Sequence, residues 1–178
     1  MEPSPSPHAA PDLRIEGEMV RLAYADLALG LFATCLVAAA IAWVVAPTHG
    51  AGLAWGWVAG MVGLSIVRYF NIRSFKSRPR TDADAAAWSG WFVAGAVTSG
   101  LGWGAAGWFF YPDLPPTASA FLIFCLSGMT AGATRSLSPL LRACWLFQIF
   151  AQLPLVTQFF LSGETIHYLM GGLSIVYL

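Results

Sequence analysis

The chain has 178 residues, of which 57% are hydrophobic and only 10% charged, with nine basic and nine acidic side chains and a formal net charge of zero. Soluble domains carry about 25% charged residues, so the charge here is too sparse for a water-facing surface and lipid is the expected solvent. A soluble enzyme, a nucleic-acid-binding protein and a disulfide-stapled secreted module are disfavoured together.

Residues 1–20 contain four prolines before Leu13 and scattered acidic groups, and they read as a disordered cytoplasmic tail. The lack of basic residues before Arg14 and the long apolar run that follows argue against a signal peptide. Residues 21–178 read as one transmembrane domain. Its first apolar segment covers about 25–46 and stops at Pro47, with Asp26 at its cytoplasmic end, placed for capping or headgroup contact rather than proton relay. The second covers about 52–67, opened by Trp55 and Trp57 and closed by Arg68. A loop from about 69 to 87 follows, basic in its first half and acidic in its second, and Thr81 with the acids after it reads as an N-cap. The third, fourth and fifth segments cover about 88–110, 117–133 and 143–161. A sixth begins near Thr165 and is still apolar at Leu178. About 20 helical residues cross a bilayer, and none of these runs alternates as a transmembrane barrel strand would. The expected fold class is therefore all-α, a polytopic bundle of about six spans.

The basic residues give an expected orientation. Arg14 and Arg21 precede the first segment; Arg68, Arg73, Lys76, Arg78 and Arg80 follow the second; Arg135 and Arg142 lie between the fourth and fifth. The remaining connections, 47–51, 111–116 and 162–164, hold no Lys or Arg, and their charged residues are Asp113 and Glu164. The positive-inside rule then places the N-terminus in the cytoplasm. The sixth segment, about 13 residues, supplies only about 20 Å of helix against a hydrocarbon core of about 30 Å. It is therefore expected to be truncated, with its continuation and an effector domain in the cytoplasm.

Three pairs of glycines at a spacing of four, Gly56/Gly60, Gly100/Gly104 and Gly128/Gly132, place small residues on one helix face for close packing within the bundle or between protomers. The fifth segment has the most polar interior. Gln148 and Gln152 share a face, and Pro154 removes the donor for the Phe150 carbonyl, which should bend the helix. Buried amides in lipid require partners, so this is either an interhelical hydrogen-bond knot or a polar notch for a ligand. Trp103, deep in the third segment beside the glycines, completes the candidate ligand-binding set Gln148, Gln152, Pro154 and Trp103. No carboxylate or lysine falls near a midplane, which argues against an ion-coupled transporter. His49 and His167 fall near the outer face with Asp113 and Glu164, without a metal-ligand spacing. Cys35, Cys125 and Cys144 lack CxxC partners and read as packing residues. No catalytic motif, metal site or cofactor site is expected in this segment.

Three stretches carry a resemblance: VRYFNIRSF at the exit of the second segment, SGLGWGAAGWFFYPD in the third, and SGMTAGATRSLSPLLRA in the fourth and its loop. They resemble the six-helix N-terminal membrane region of bacterial signalling proteins, namely GGDEF diguanylate cyclases, EAL phosphodiesterases and sensor or hybrid histidine kinases. The resemblance covers roughly residues 20–178 and carries over no catalytic residue. It implies an inner-membrane sensing and anchoring input domain that couples a membrane or periplasmic signal to a cytoplasmic output, a diguanylate cyclase first and a histidine kinase next. It also implies homodimerisation through the full-length protein. The competing expectation is a small self-contained transporter or channel. The partners expected are the lipid bilayer and a small-molecule or membrane signal, not nucleic acid.

Overall fold

The computed structural model describes residues 9–25, 27–77, 81, 84 and 87–177. Among the described residues all regular structure is helical, in seven helices: α1 (Ala9–Ala25), α2 (Leu27–His49), α3 (Ala51–Lys76), α4 (Ser89–Phe110), α5 (Pro116–Leu137), α6 (Leu141–Leu161) and α7 (Thr165–Tyr177). The expected apolar segments coincide with α2 to α7. Four helices, α2 from Gly30 onward, α3, α5 and α6, are long and apolar enough to cross a membrane. Their apolar side chains point outward as well as inward: Trp43 and Phe124 are each 76% exposed. A surface this greasy on a folded bundle is what a lipid solvent requires.

Two boundaries differ from expectation. The tail expected to be disordered through residue 20 is helical from Ala9, because its second half is amphipathic: Val20, Ala23 and Tyr24 are fully buried, while Glu18 and Arg21 pair at 3.1 Å on the outer face. Likewise α3 continues through the stretch expected as loop, from Tyr69 to Lys76. No Gly or Pro interrupts that stretch, and its Ile72 and Phe75 are buried. The two corrections share a cause. Tyr24 stacks on Phe75 at 4.2 Å and meets Phe92 edge-on at 5.2 Å, and its hydroxyl donates to Asn71 Oδ1 at 2.8 Å. Each helix extension supplies the surface that buries the other. Tyr24→Phe removes the donor to Asn71 and is expected to cost about 1 kcal/mol. Faster amide exchange in α1 with α4 unchanged is the readout, and uniform exchange would refute this coupling. Asp26, Arg78 and Arg80 lie outside the described residues.

The turns follow from local chemistry. Gly50 leaves α2 at φ 89°, a conformation that favours glycine, and its N–H closes on the Ala46 carbonyl at 2.9 Å, so α2 runs past Pro47 to His49. Thr81 and Asp84 form a reciprocal capping box, hydroxyl to carboxylate at 2.8 Å and backbone N–H to Thr81 Oγ1 at 3.2 Å. Pro115 and Pro116 open α5, where a missing N–H costs nothing.

Packing runs in a cycle: α2 against α3, α3 against α4, α4 against α6, α6 against α5, and α5 back against α2, with α7 on α6. The α4–α6 interface is the most extensive. A Cβ on Gly100 would lie 2.8 Å from the Phe147 carbonyl oxygen, and one on Gly107 2.9 Å from Leu155 Cβ. One on Gly104 would fall on the Phe150 carbonyl oxygen and 2.9 Å from Pro154 Cγ. That is the carbonyl that Pro154 leaves without a helical donor, so the proline's loss and the glycine's bareness meet at one contact, in a setting where weak Cα–H···O contacts form. The helix itself is continuous through Pro154. Gly56, Gly60, Gly128 and Gly132 face open space.

Candidate functional site

The four residues expected to share a ligand notch go to three different neighbours. Gln148 and Gln152 face α5, where Gln148 Nε2 donates to Thr134 Oγ1 at 2.7 Å and Gln152 Nε2 to Thr130 Oγ1 at 3.2 Å. Each threonine hydroxyl in turn donates to its own helix: Thr134 to the Thr130 carbonyl at 2.9 Å, Thr130 to the Leu126 and Ser127 carbonyls at 3.0 and 2.9 Å. Amide, hydroxyl and carbonyl thus form short relays in which each bond polarises the next. The geometry is a hydrogen-bond knot between α5 and α6, with one loose end: Gln148 Oε1 is buried without a partner. Pro154 packs toward Gly104 of α4. Trp103, 1% exposed, meets Trp57 of α3 edge-on at 5.8 Å, and the Trp57 indole donates to the Gly102 carbonyl at 2.8 Å.

The two ends of the bundle differ in chemistry. At one end lie Arg73 and Lys76 in the last turn of α3, Arg135 in the last turn of α5 and Arg142 at the start of α6. Arg68, one turn deeper, donates from Nη1 to Ser99 Oγ at 2.7 Å. Its Nε would lie 3.2 Å from a Cβ at Gly95, so that glycine makes room for the guanidinium.

The other end gathers Gly50, the 111–115 turn and the 162–164 turn. The C-terminus of α4 is capped there from both sides: His49 donates from Nε2 to the Phe110 carbonyl at 2.8 Å, and Gln158 from Nε2 to the Trp108 carbonyl at 3.0 Å. These bonds satisfy carbonyls that the helix end leaves open. His49 is thereby committed to structure. His167 stands apart from it, stacked on Phe159 at 6.1 Å with Tyr111 edge-on at 6.0 Å, and its Nδ1 lies 3.3 Å from Glu164 Oε2. That contact is an ion pair only when the imidazole is protonated. No hydrogen bond forms there, and Nδ1 is otherwise buried without a partner. Among the described residues, no three His, Cys, Asp or Glu side chains converge to hold a metal ion.

Beside this aromatic group opens a cavity of about 930 Å³ between the 111–115 turn, the first turns of α5, the end of α6 and the start of α7. Tyr111, Asp113, Gln158, Glu164 and His167 line its polar part. Asp113 holds φ at 62°, a left-handed conformation that aspartate tolerates better than most residues. Burial, and after it the Glu164 carboxylate, pushes the Tyr111 phenol above its usual pKa. Glu164→Gln removes the second cause, so Tyr111 is expected to ionise at lower pH in that variant. Tyrosinate absorbance, corrected by the Tyr111→Phe background, measures it; an unchanged midpoint would contradict the proximity.

Sequence reasoning noted Asp113, Glu164 and His167 but missed the cavity, because three separate connections build it. The available signal was the pairing of the only two carboxylates expected at that end. Searches against family models, curated proteins and solved structures return no match.

Proposed function

We propose that the chain is a six-span module of a bacterial inner membrane, N-terminus in the cytoplasm, serving as the sensing and anchoring input region of a signalling protein. The observation that carries the sensing role is the cavity at the end of the bundle opposite the basic residues. Its volume of about 930 Å³ lies in the range of small-molecule sites, and it touches both α6 and α7, so an occupant would bias how α7 packs. A signal must act on such a two-state packing to be transmitted.

The orientation is supported by the charge asymmetry between the two ends. Spans by α4 and α7 complete the count of six. At 22 residues α4 is about 33 Å long, and its Gly100, Gly104 and Gly107 serve the α6 contact rather than lipid. In the reading that follows from the resemblance, the output is cytoplasmic, a diguanylate cyclase first and a histidine kinase next, and the protein works as a homodimer.

Two experiments test this. In a background without native cysteines, Thr48→Cys and Ser162→Cys should react with an impermeant maleimide added outside the cell, while Ser77→Cys and Ser138→Cys should not. Labelling of Ser138→Cys from outside would overturn the topology. For the sensing role, the bundle is replaced in the intact protein by unrelated membrane helices and cyclase or kinase output is measured. Unaltered output and regulation would reduce the module to a tether.

A further inference from the structure

The lining of the cavity at the 111–115 and 162–164 turns is unbalanced in charge. Its formal charges are the carboxylates of Asp113 and Glu164, and among the described residues no Lys or Arg lines it. Among the described residues no hydrogen bond or ion pair reaches the Asp113 carboxylate, while Glu164 meets only the edge of His167 at 3.3 Å. Three of the neutral polar groups direct a donor to backbone. Gln158 Nε2 donates to the Trp108 carbonyl, Ser119 Oγ to the Leu114 and Pro115 carbonyls at 3.2 Å, and Ser162 Oγ to the Phe159 carbonyl at 2.8 Å. The Ser119 and Ser162 hydroxyls, their protons so used, are left with acceptor lone pairs. A ligand that matches such a wall brings positive charge and N–H or polarised C–H donors.

The rest of the lining specifies the remainder of the ligand. Tyr111 lines the same cavity, and an aromatic ring near negative charge suits an ammonium group. Away from the polar mouth the wall is apolar, formed by Ile123 and Phe124 of α5 and Ile166 and Met170 of α7. Phe124 is 76% exposed, so the groove can take hydrocarbon without displacing a packed side chain.

We propose that this cavity binds an amphipathic organic cation, its ammonium head held by Asp113 and Glu164 beside the Tyr111 ring and its hydrocarbon part laid along the apolar wall between α5 and α7. The ligand class rests on the sensing reading for its biological meaning, but not for its binding.

The test uses the purified chain in nanodiscs of digalactosyldiacylglycerol, a neutral bilayer lipid without an ammonium group, with labelled decyltrimethylammonium in equilibrium dialysis and empty discs subtracted. Saturable binding of the cation is expected, with no saturable binding of decyl sulfate. The double variant Asp113→Asn, Glu164→Gln should weaken the cation at least tenfold, about 1.4 kcal/mol. Ala120→Trp, which fills the cavity without touching its charge, should abolish binding; a helical circular dichroism signal equal to wild type certifies both variants. Equal binding of cation and sulfate, or full affinity in the double variant, would overturn the proposal and mark the uptake as partition into lipid. Phosphatidylethanolamine discs distinguish the source: suppression of the probe identifies a lipid ammonium as the occupant, and undiminished binding a free amine. Failure of the sensing reading looks different, since the disc experiment requires no output domain.

Discussion

Gly104→Ala is expected to destabilise the bundle by about 3 kcal/mol, and Gly128→Ala to leave it unchanged or stabilise it by up to about 1 kcal/mol, although both sit in the same Gly-x-x-x-Gly pattern. At position 104 the added methyl falls on the Phe150 carbonyl oxygen with the Pro154 ring 2.9 Å away. Neither neighbour can rotate aside, because one is backbone and the other is a ring fixed to it. Relief therefore requires α4 and α6 to separate, which also loosens the contacts of Gly100 with Phe147 and of Gly107 with Leu155. Overpacking costs typically 1–3 kcal/mol, and a clash against backbone over the largest interface of the bundle belongs at the upper end. Gly128 faces open space, so alanine there meets nothing and gains up to about 1 kcal/mol of helix propensity. Thermal unfolding in detergent, followed by circular dichroism, ranks the two variants. Equal melting of Gly104→Ala and wild type would refute the α4–α6 geometry. A loss at Gly128 matching that at Gly104 would mean that a neighbour, such as a second copy, covers the α5 face.

That contrast also locates the limit of what the sequence reveals. Hydropathy marks the apolar segments because lipid-facing residues must be apolar wherever they stand on the helix, and apart from the C-terminal end of α3 the helices α2 to α7 appear within a few residues of their expected ends. Amphipathic extensions are harder to read. The stretches 9–20 and 69–76 look polar in a running average, yet Tyr24, Ile72 and Phe75 are buried because each extension forms the other's partner, a non-local fact. The glycine pairs are indistinguishable as motifs. What singles out Gly104 is a carbonyl freed by a proline some fifty positions later, visible only once α4 and α6 are paired. The glutamines were readable as groups needing partners, and the threonines at 130 and 134 repeat their spacing of four on the preceding helix. That match was available in the sequence and went unused. The cavity was not available, since it depends on how three connections converge.

The knot between α5 and α6 gives the second large effect. Thr130→Val keeps the shape of the side chain and deletes the oxygen that accepts from Gln152 Nε2, leaving a carboxamide buried with no partner from α5. Thr130 is 1% exposed and Gln152 9%, so neither water nor a headgroup substitutes, and the cost is expected at about 2 kcal/mol, within the usual penalty for an orphaned buried polar group. Gln152→Leu removes the group in need as well as the bond. In the Thr130→Val background it should therefore recover part of that loss. The double-mutant cycle is expected to show a coupling of about 1 kcal/mol. Gln148 behaves differently: its Oε1 is already unpartnered in the native bundle, so Gln148→Leu relieves one orphan while losing the bond to Thr134, and its net cost should be smaller than that of Thr130→Val. A cycle with no coupling, measured by reversible unfolding in mixed micelles, would show that the amide finds another partner. Under the proposed sensing function, the same cycle run on output separates a lock from a sensor. If Gln148→Leu with Gln152→Leu lowers stability and leaves the response intact, the knot only holds α5 to α6. A shifted response at unchanged fold would make the loose end at Gln148 part of the switch.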